Sequence, residues 1–183
     1  MILYVRGFRP IHDPLTLVKA IPAILEAHPD AVVVMAGAPG TASAPVLQEA
    51  DALGVKDAVR FAGNVPHADI PPYLASATVY VSTATSDGGI AVSTLEAMAS
   101  GCAMVLTNSG DHASLIVDNA ATVVNAGDPA RLAAAVVWLL DNPTQRATFG
   151  ANARRVAVDR YDYRTEMKKM RTLYEDLIAR RPA

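Results

Sequence analysis

The feature that most constrains this chain is an alternation. Short, continuous apolar runs are spaced along it, each separated from the next by a segment of helical periodicity. The runs are Ile2 to Arg6, Ala31 to Ala36 (AVVVMA), Ala58 to Ala62 (AVRFA), Thr78 to Thr83 (TVYVST), Ala103 to Thr107 and the short Thr122 to Val124. They are too short for helices, and β-branched residues are frequent in them, as expected of strands covered on both faces. The sequence predicts helices between and after them. Asp13-Pro14 reads as a cap and first helical position, followed by an apolar face of Leu15, Leu17, Val18, Ile21, Ile24 and Leu25 with a kink at Pro22. Further helices are expected over Ser43–Leu53, stopped by Gly54, over Ala68–Ala77, interrupted by Pro71-Pro72, over Ile90–Ser100, ended by Gly101, and over the short Ala113–Val117. The end of the chain is expected to be all helix: Pro129–Leu140 behind Asp128, then Pro143 to Asp159, then Asp162 to Ala179. Strands alternating with helices imply an α/β fold. Here that is a Rossmann-like doubly wound parallel sheet of six strands, helices on both faces and a helical C-terminal tail. Residues 1–160 are assigned to this domain, and residues 161–183 to its C-terminal helix.

Composition narrows the function classes. At 183 residues, 51% hydrophobic and with a net charge of -2, the chain suits one globular domain and not a disordered one. One cysteine, Cys102, excludes a disulfide scaffold and reads as a buried thiol. The longest apolar run, Leu132 to Leu140, falls well short of a membrane span. The opening MILYVRGF offers neither a basic segment nor a cleavage site, so no leader is expected and a cytoplasmic, reducing compartment is the default. Near-neutral charge argues against nucleic acid as a partner. The charge is unevenly spread: residues 1–150 hold 7 Lys+Arg and 13 Asp+Glu, and residues 151–183 hold 9 and 5. The basic, amphipathic end reads as a solvated helix face or as a surface for anionic lipid or another domain. In its last helix Met167, Met170, Leu173, Tyr174 and Leu177 share a face. Trp138 and Phe149 read as core.

Several chemistries lack their residues. No Walker A lysine follows a glycine loop, and Gly37-Ala38-Pro39-Gly40 is not a G-x-G-x-x-G fingerprint. His12, His28, His67 and His112 show no metal-ligand spacing with one another or with Cys102. No G-x-S-x-G elbow supplies a nucleophilic serine. Ligands on doubly wound sheets bind at the carboxyl ends of the strands, so the residues just past each strand matter most. The densest such segment runs from Ser86 and Asp87 through Gly88, Gly89, Ile90, Ala91, Val92 and Ser93 to Glu96. Two glycines let backbone approach a ligand, and the helix start behind them offers N–H groups to a phosphate. Glu96, inside that helix, is an acceptor for ribose hydroxyls; the alternative is a surface glutamate behind a plain turn. Arg6 and Arg9, with His12 behind them, follow the first strand, where guanidinium would meet a diphosphate; the alternative is a salt bridge to Asp13 or Asp111.

In this order, the stretches YVRGFRP, HPDAVVVMAG, VRFAGNVP, PPYLASATVYVSTATSDGG, LEAMASG, LLDNPTQRATFGANARR and YDYRTEMKKMRTLYEDL resemble the C-terminal, donor-nucleotide-binding half of GT-B-fold retaining glycosyltransferases. These form the large group 1 family that includes bacterial mannosyltransferases and sucrose synthases. LEAMASG is the most specific of the stretches. The resemblance implies transfer of a hexose from a nucleoside-diphosphate sugar with no metal required. It implies that Glu96, the second glutamate of the family's Glu-x7-Glu signature, holds the ribose, and that Arg6 binds the diphosphate. His12 stands near the usual place of a phosphate-binding lysine. The backbone at Ala91, Val92 and Ser93 would cradle phosphate, and Gly63, Asn64 and Val65 would contact the base.

The sequence departs from that family at two positions. The first signature glutamate falls on Gly88, with Asp87 one residue earlier as the carboxylate available to face the sugar, and Ser114 stands near the place of a further acidic residue. The acceptor-binding N-terminal domain is expected to lie outside the chain, so that this chain binds donor and is inactive alone. Two other readings stay open: a nucleotide-sugar epimerase of the same fold, and a non-catalytic module that binds a partner, a peripheral membrane surface at the inner membrane face, or itself.

Overall fold

The computed structural model describes residues 1–180 as a six-stranded, wholly parallel sheet in the order β3-β2-β1-β4-β5-β6. The strands are β1 (Ile2–Val5), β2 (Val33–Ala36), β3 (Val59–Gly63), β4 (Val79–Ser82), β5 (Met104–Thr107) and β6 (Thr122–Val124). Each falls inside or within a residue of its apolar run. Alternate strand residues feed two cores, because successive side chains point to opposite faces. Ile2, Tyr4, Val33, Met35, Val79, Val81 and Val105 pack with α1 (Pro14–Ala27), α2 (Ser43–Ala52) and α6 (Pro129–Asp141). Leu3, Val34, Tyr80, Met104 and Leu106 pack on the other face with α3 (Ile70–Ser76), α4 (Val92–Ala99), α5 (Ser114–Val117) and α7 (Pro143–Tyr161). The doubly wound fold expected from the alternation is therefore present.

Local chemistry sets the helix boundaries. Asp13 caps α1 by accepting from the Thr16 N–H at 3.3 Å and the Thr16 hydroxyl at 2.5 Å. Asp128 caps α6 by accepting from the Arg131 N–H at 2.9 Å. Helix α1 runs through Pro22 unbroken. Pro71 and Pro72 begin α3 and do not interrupt it: they occupy its first turn, where a missing N–H removes no helical bond. Trp138 corrects the sequence reading. It is 43% exposed, because α6 buries the stripe Leu132, Ala133, Val136 and Leu139, and Trp138 lies about 200° around the helix from Val136. It rests edge-on against the half-buried Phe149, with centroids 6.0 Å apart. Cys102 is buried as expected, its Sγ 3.2 Å from the Leu74 carbonyl, and burial pushes its thiol up to about 11.

The last helix, α8 (Tyr163–Ala179), has Asp162 as its cap and no buried residue. Its ion pairs are internal, Lys169 with Glu166 and Arg171 with Glu175. Residues 181–183, assigned to this helix from the sequence, lie outside the described residues.

The strand order reverses between β1 and β4, and this positions the site: β1 pairs with β2 on one side and β4 on the other. The loops leaving the carboxyl ends are sewn together there. Gly37 donates to the Gly63 carbonyl at 2.8 Å, Phe8 to Ala38 and Ala42 to Phe8, both at 3.0 Å. A Cβ on Gly37 would sit 1.9 Å from the Arg6 carbonyl oxygen, so only glycine lets these two loops touch.

Candidate functional site

Arg6 leaves β1 at the strand-order reversal, and Asp87 follows β4, its neighbour in the sheet. Their side chains meet: Arg6 Nη2 lies 2.7 Å from Asp87 Oδ1 and Nη1 lies 3.2 Å from Oδ2, with side chains 10% and 11% exposed. The sequence alternatives for Arg6, Asp13 and Asp111, are not its partners. A guanidinium carries five N–H donors, and the two turned to Asp87 leave others for a ligand. Asp87 is less free, since both its oxygens face Arg6.

The expected glycine bend stands beside this pair. Neither Gly88 nor Gly89 has any heavy atom within 4 Å of where a Cβ would be, so the bend is open. It is buttressed from behind by the turn after β5. A Cβ on Gly110, which has φ of 54°, would lie 2.1 Å from the Gly89 carbonyl oxygen and 3.1 Å from the Asp87 Cβ. Helix α4 starts just past the bend with Ala91 at its cap position and no side chain capping it. The first N–H groups of α4 therefore have no side-chain acceptor. Ser93 Oγ accepts from the Tyr80 hydroxyl at 3.1 Å, tying the first turn to β4.

Glu96 lies a little over one turn into α4, closer to its start than the sequence reading placed it, because the helix begins at Val92. Its side chain reaches a cleft of about 400 Å³ lined also by Arg6, Gly37, Asn64, Val65 and His67. The structure thus brings Arg6, Asn64, Val65 and Glu96 to one cleft, with Gly88 and Gly89 at the Arg6–Asp87 end. Gly63 sits one residue before that wall and accepts from Gly37. Ile90, Ala91, Val92 and Ser93 form the bend's exit and the helix start, outside the cleft lining. Arg9 is not brought in: it is exposed, and its Cγ lies beside Gly40 in the loop after β2. His12 turns back on its own loop, Nδ1 donating to the Gly7 carbonyl at 2.7 Å. Ser114 is turned to its own helix start, its hydroxyl donating to the Asp111 carbonyl at 2.7 Å.

One histidine is drawn into the cleft and another is buried behind the bend, with no signal in their spacing. His67 Nε2 lies 2.5 Å from Glu96 Oε1 at the cleft rim. His112, fully buried, donates from Nδ1 to the Thr107 carbonyl at 2.9 Å and leaves Nε2 without a partner. Burial lowers its affinity for a proton below the usual imidazole range, an effect that the Thr107 carbonyl and the charge of Asp87 oppose. Among the described residues, no group of three or more His, Cys, Asp or Glu side chains is placed to hold a metal ion. No helix there is long and apolar enough to cross a membrane.

The family model described as "Glycosyl transferases group 1" matches residues 1–156. The chain belongs to the group 1 glycosyl transferases. Among curated group 1 relatives, it is 30% identical over 162 residues to D-inositol 3-phosphate glycosyltransferase 2 of Catenulispora acidiphila, covering 84% of this chain and 38% of that protein. It is 29% identical over 145 residues to the GDP-mannose-dependent monoacylated alpha-(1-6)-phosphatidylinositol monomannoside mannosyltransferase of Corynebacterium glutamicum, covering 76% and 37%. The chain spans less than half the length of these relatives. Its fold matches that of HepE from Anabaena, solved in complex with UDP, with a TM-score of 0.84 at 20% identity over 96% of this chain and 48% of that one. It also matches the C-terminal domain of the group 1 protein LpcC from Francisella tularensis, with a TM-score of 0.80 at 21% identity over 88% and 86%.

Proposed function

We propose that this chain is the donor-nucleotide-binding part of a retaining glycosyltransferase that transfers a hexose from a nucleoside-diphosphate sugar. The observation that carries the reading is a convergence: the Arg6 guanidinium, the open Gly88-Gly89 bend and the Glu96 carboxylate meet at one end of the sheet, at its strand-order reversal. They match the parts of a nucleoside diphosphate. Glu96 would accept hydroxyls from the ribose, and the wall at Asn64 and Val65 would meet the base. Arg6 and the first N–H groups of α4 would hold the diphosphate.

As the bond from sugar to diphosphate breaks, negative charge builds on the leaving phosphate, and fixed positive groups already aimed there lower the barrier. Arg6 is fixed by its two bonds to Asp87, so Asp87 acts as a positioning residue for Arg6. The reading asks for no metal, since guanidinium and backbone N–H groups supply the positive charge. The acceptor would be held by a part of the enzyme outside these 183 residues, and the whole would work in the cytoplasm, at the inner membrane face where the acceptor is a lipid. The mannosyltransferase relatives make GDP-mannose the first donor to try, and the UDP complex of the fold neighbour makes UDP-sugars the second. Calorimetry of the chain with UDP, GDP and ADP tests the reading. One of the three is expected to bind, with binding lost in Glu96→Ala and Arg6→Ala; no binding to any of them removes the reading.

A further inference from the structure

We propose that His67 is a latch on the ribose site: it holds the Glu96 carboxylate in the empty cleft and must release it when donor binds. The proposal rests on the donor-site reading above. A carboxylate only accepts hydrogen bonds, so the 2.5 Å contact requires a proton on His67 Nε2. The oxygen it occupies, Glu96 Oε1, belongs to the carboxylate that faces the cleft. A ribose offering two vicinal hydroxyls to Glu96 therefore competes with the imidazole for one of its two oxygens.

The pair is built to exchange. The His67 side chain is 83% exposed, on a single 3-10 turn (His67–Asp69) between β3 and α3, whereas Glu96 is 28% exposed on α4. Water can take the imidazole's place on Glu96, and His67 can swing into solvent with little packing lost. A contact this exposed is weak enough to be displaced by a ligand that brings its own hydrogen bonds. The charged groups around His67 are few. Glu96 faces it from α4, Asp69 belongs to its own turn, and Arg6 reaches the same cleft from β1 with its charge already met by Asp87. The ends of β2 and β3 and the start of α3 contribute Gly37, Asn64, Val65 and Ile70, none of which titrates.

The latch has a sign. A donor hydroxyl can reach Glu96 Oε1 only once His67 Nε2 has left it, so the imidazole lowers donor affinity instead of raising it.

Calorimetric titration of GDP-mannose, UDP-glucose and ADP-glucose into the 183-residue chain and its His67 variants tests this. His67→Ala is expected to bind the preferred donor roughly two- to fivefold more tightly than the wild type, the range set by an exposed pair. His67→Gln, whose amide can still donate to Glu96, is expected to stay near the wild type. Unchanged affinity in His67→Ala overturns the latch while leaving the donor site standing. Weaker binding by His67→Ala also overturns it, because His67 would then be touching the donor. Absence of binding by wild type and variants removes the donor-site reading, and the latch with it.

Discussion

The Arg6–Asp87 and His67–Glu96 pairs both set a nitrogen base against a carboxylate at the same end of the sheet, yet they differ in how they are held. The first has side chains about a tenth exposed and is joined by two bonds; the second is joined by one bond and has an imidazole almost wholly in solvent. Burial decides which of them is architecture. A charge removed from water needs its partner permanently, whereas an exposed pair can part at little cost. The group that would meet the diphosphate is thus locked in place before any ligand arrives, and the group that would meet the ribose is left exchangeable.

The largest expected effect breaks the locked pair. Arg6→Ala leaves Asp87 charged and enclosed and is expected to cost roughly 3–5 kcal/mol by chemical denaturation. The double variant Arg6→Met with Asp87→Leu is expected to recover most of that stability and no nucleotide binding, separating the pair's structural part from the ligand's need for the guanidinium. A smaller loss, about 1–3 kcal/mol, is expected for Gly110→Ala. The new Cβ would enter the Gly89 carbonyl and press on Asp87, so nucleotide binding should weaken with it.

His112, behind the locked side, gives the third test. Its proton affinity in the fold lies below its ordinary value of about 6.5, so protonation favours the unfolded chain. Its contribution to stability is complete above the unfolded value and is lost progressively as pH falls from there through the lower folded value, by up to about 1.4 kcal/mol per pH unit. Melting curves from pH 7.5 to 5 should flatten in His112→Gln relative to wild type; an unchanged slope would show that the buried ring does not titrate in unfolding. The smallest effect belongs to the exposed pair. His67→Ala should change stability by less than about 1 kcal/mol, and a larger loss would show that this pair too is architecture.

Much of the fold was legible in the sequence, and the reason is periodicity. Runs such as AVVVMA are too short for helices and rich in β-branched residues, which marks them as strands covered on both faces, and Asp13 and Asp128 announce their helices by cap chemistry that needs no long-range contact. Trp138 was misplaced because its large apolar side chain made it read as core, whereas two residues of α6 past Val136 turn it about 200° away, to the outer side. The candidate site was legible in part. Arg6, Gly88 and Gly89 could be found as residues just past strands and Glu96 as a carboxylate in the helix behind them, and the resemblance to group 1 glycosyltransferases gave them candidate roles. The pairings were not legible. Asp87 meets Arg6 across 81 residues, and His67 meets Glu96 across 29. Nothing local records that β1 and β4 are neighbours, which is what brings the first pair together. His67 and His112 were weighed only as metal ligands, since histidine spacing carries no sign of a carboxylate or a carbonyl waiting in another loop.

The contact of Gly37 with the Arg6 carbonyl bears on how such a domain changes its donor. The wall at Asn64 and Val65, where the proposed reading would put the base, and the arm that carries the guanidinium are one casting, joined main chain to main chain through Gly37. Under that reading, a new base preference would be carved from the outer lip, at Asn64, Val65 and the turn behind them. A substitution at the seam would tilt the guanidinium along with the wall, so the inner half of the cleft would vary only as a unit.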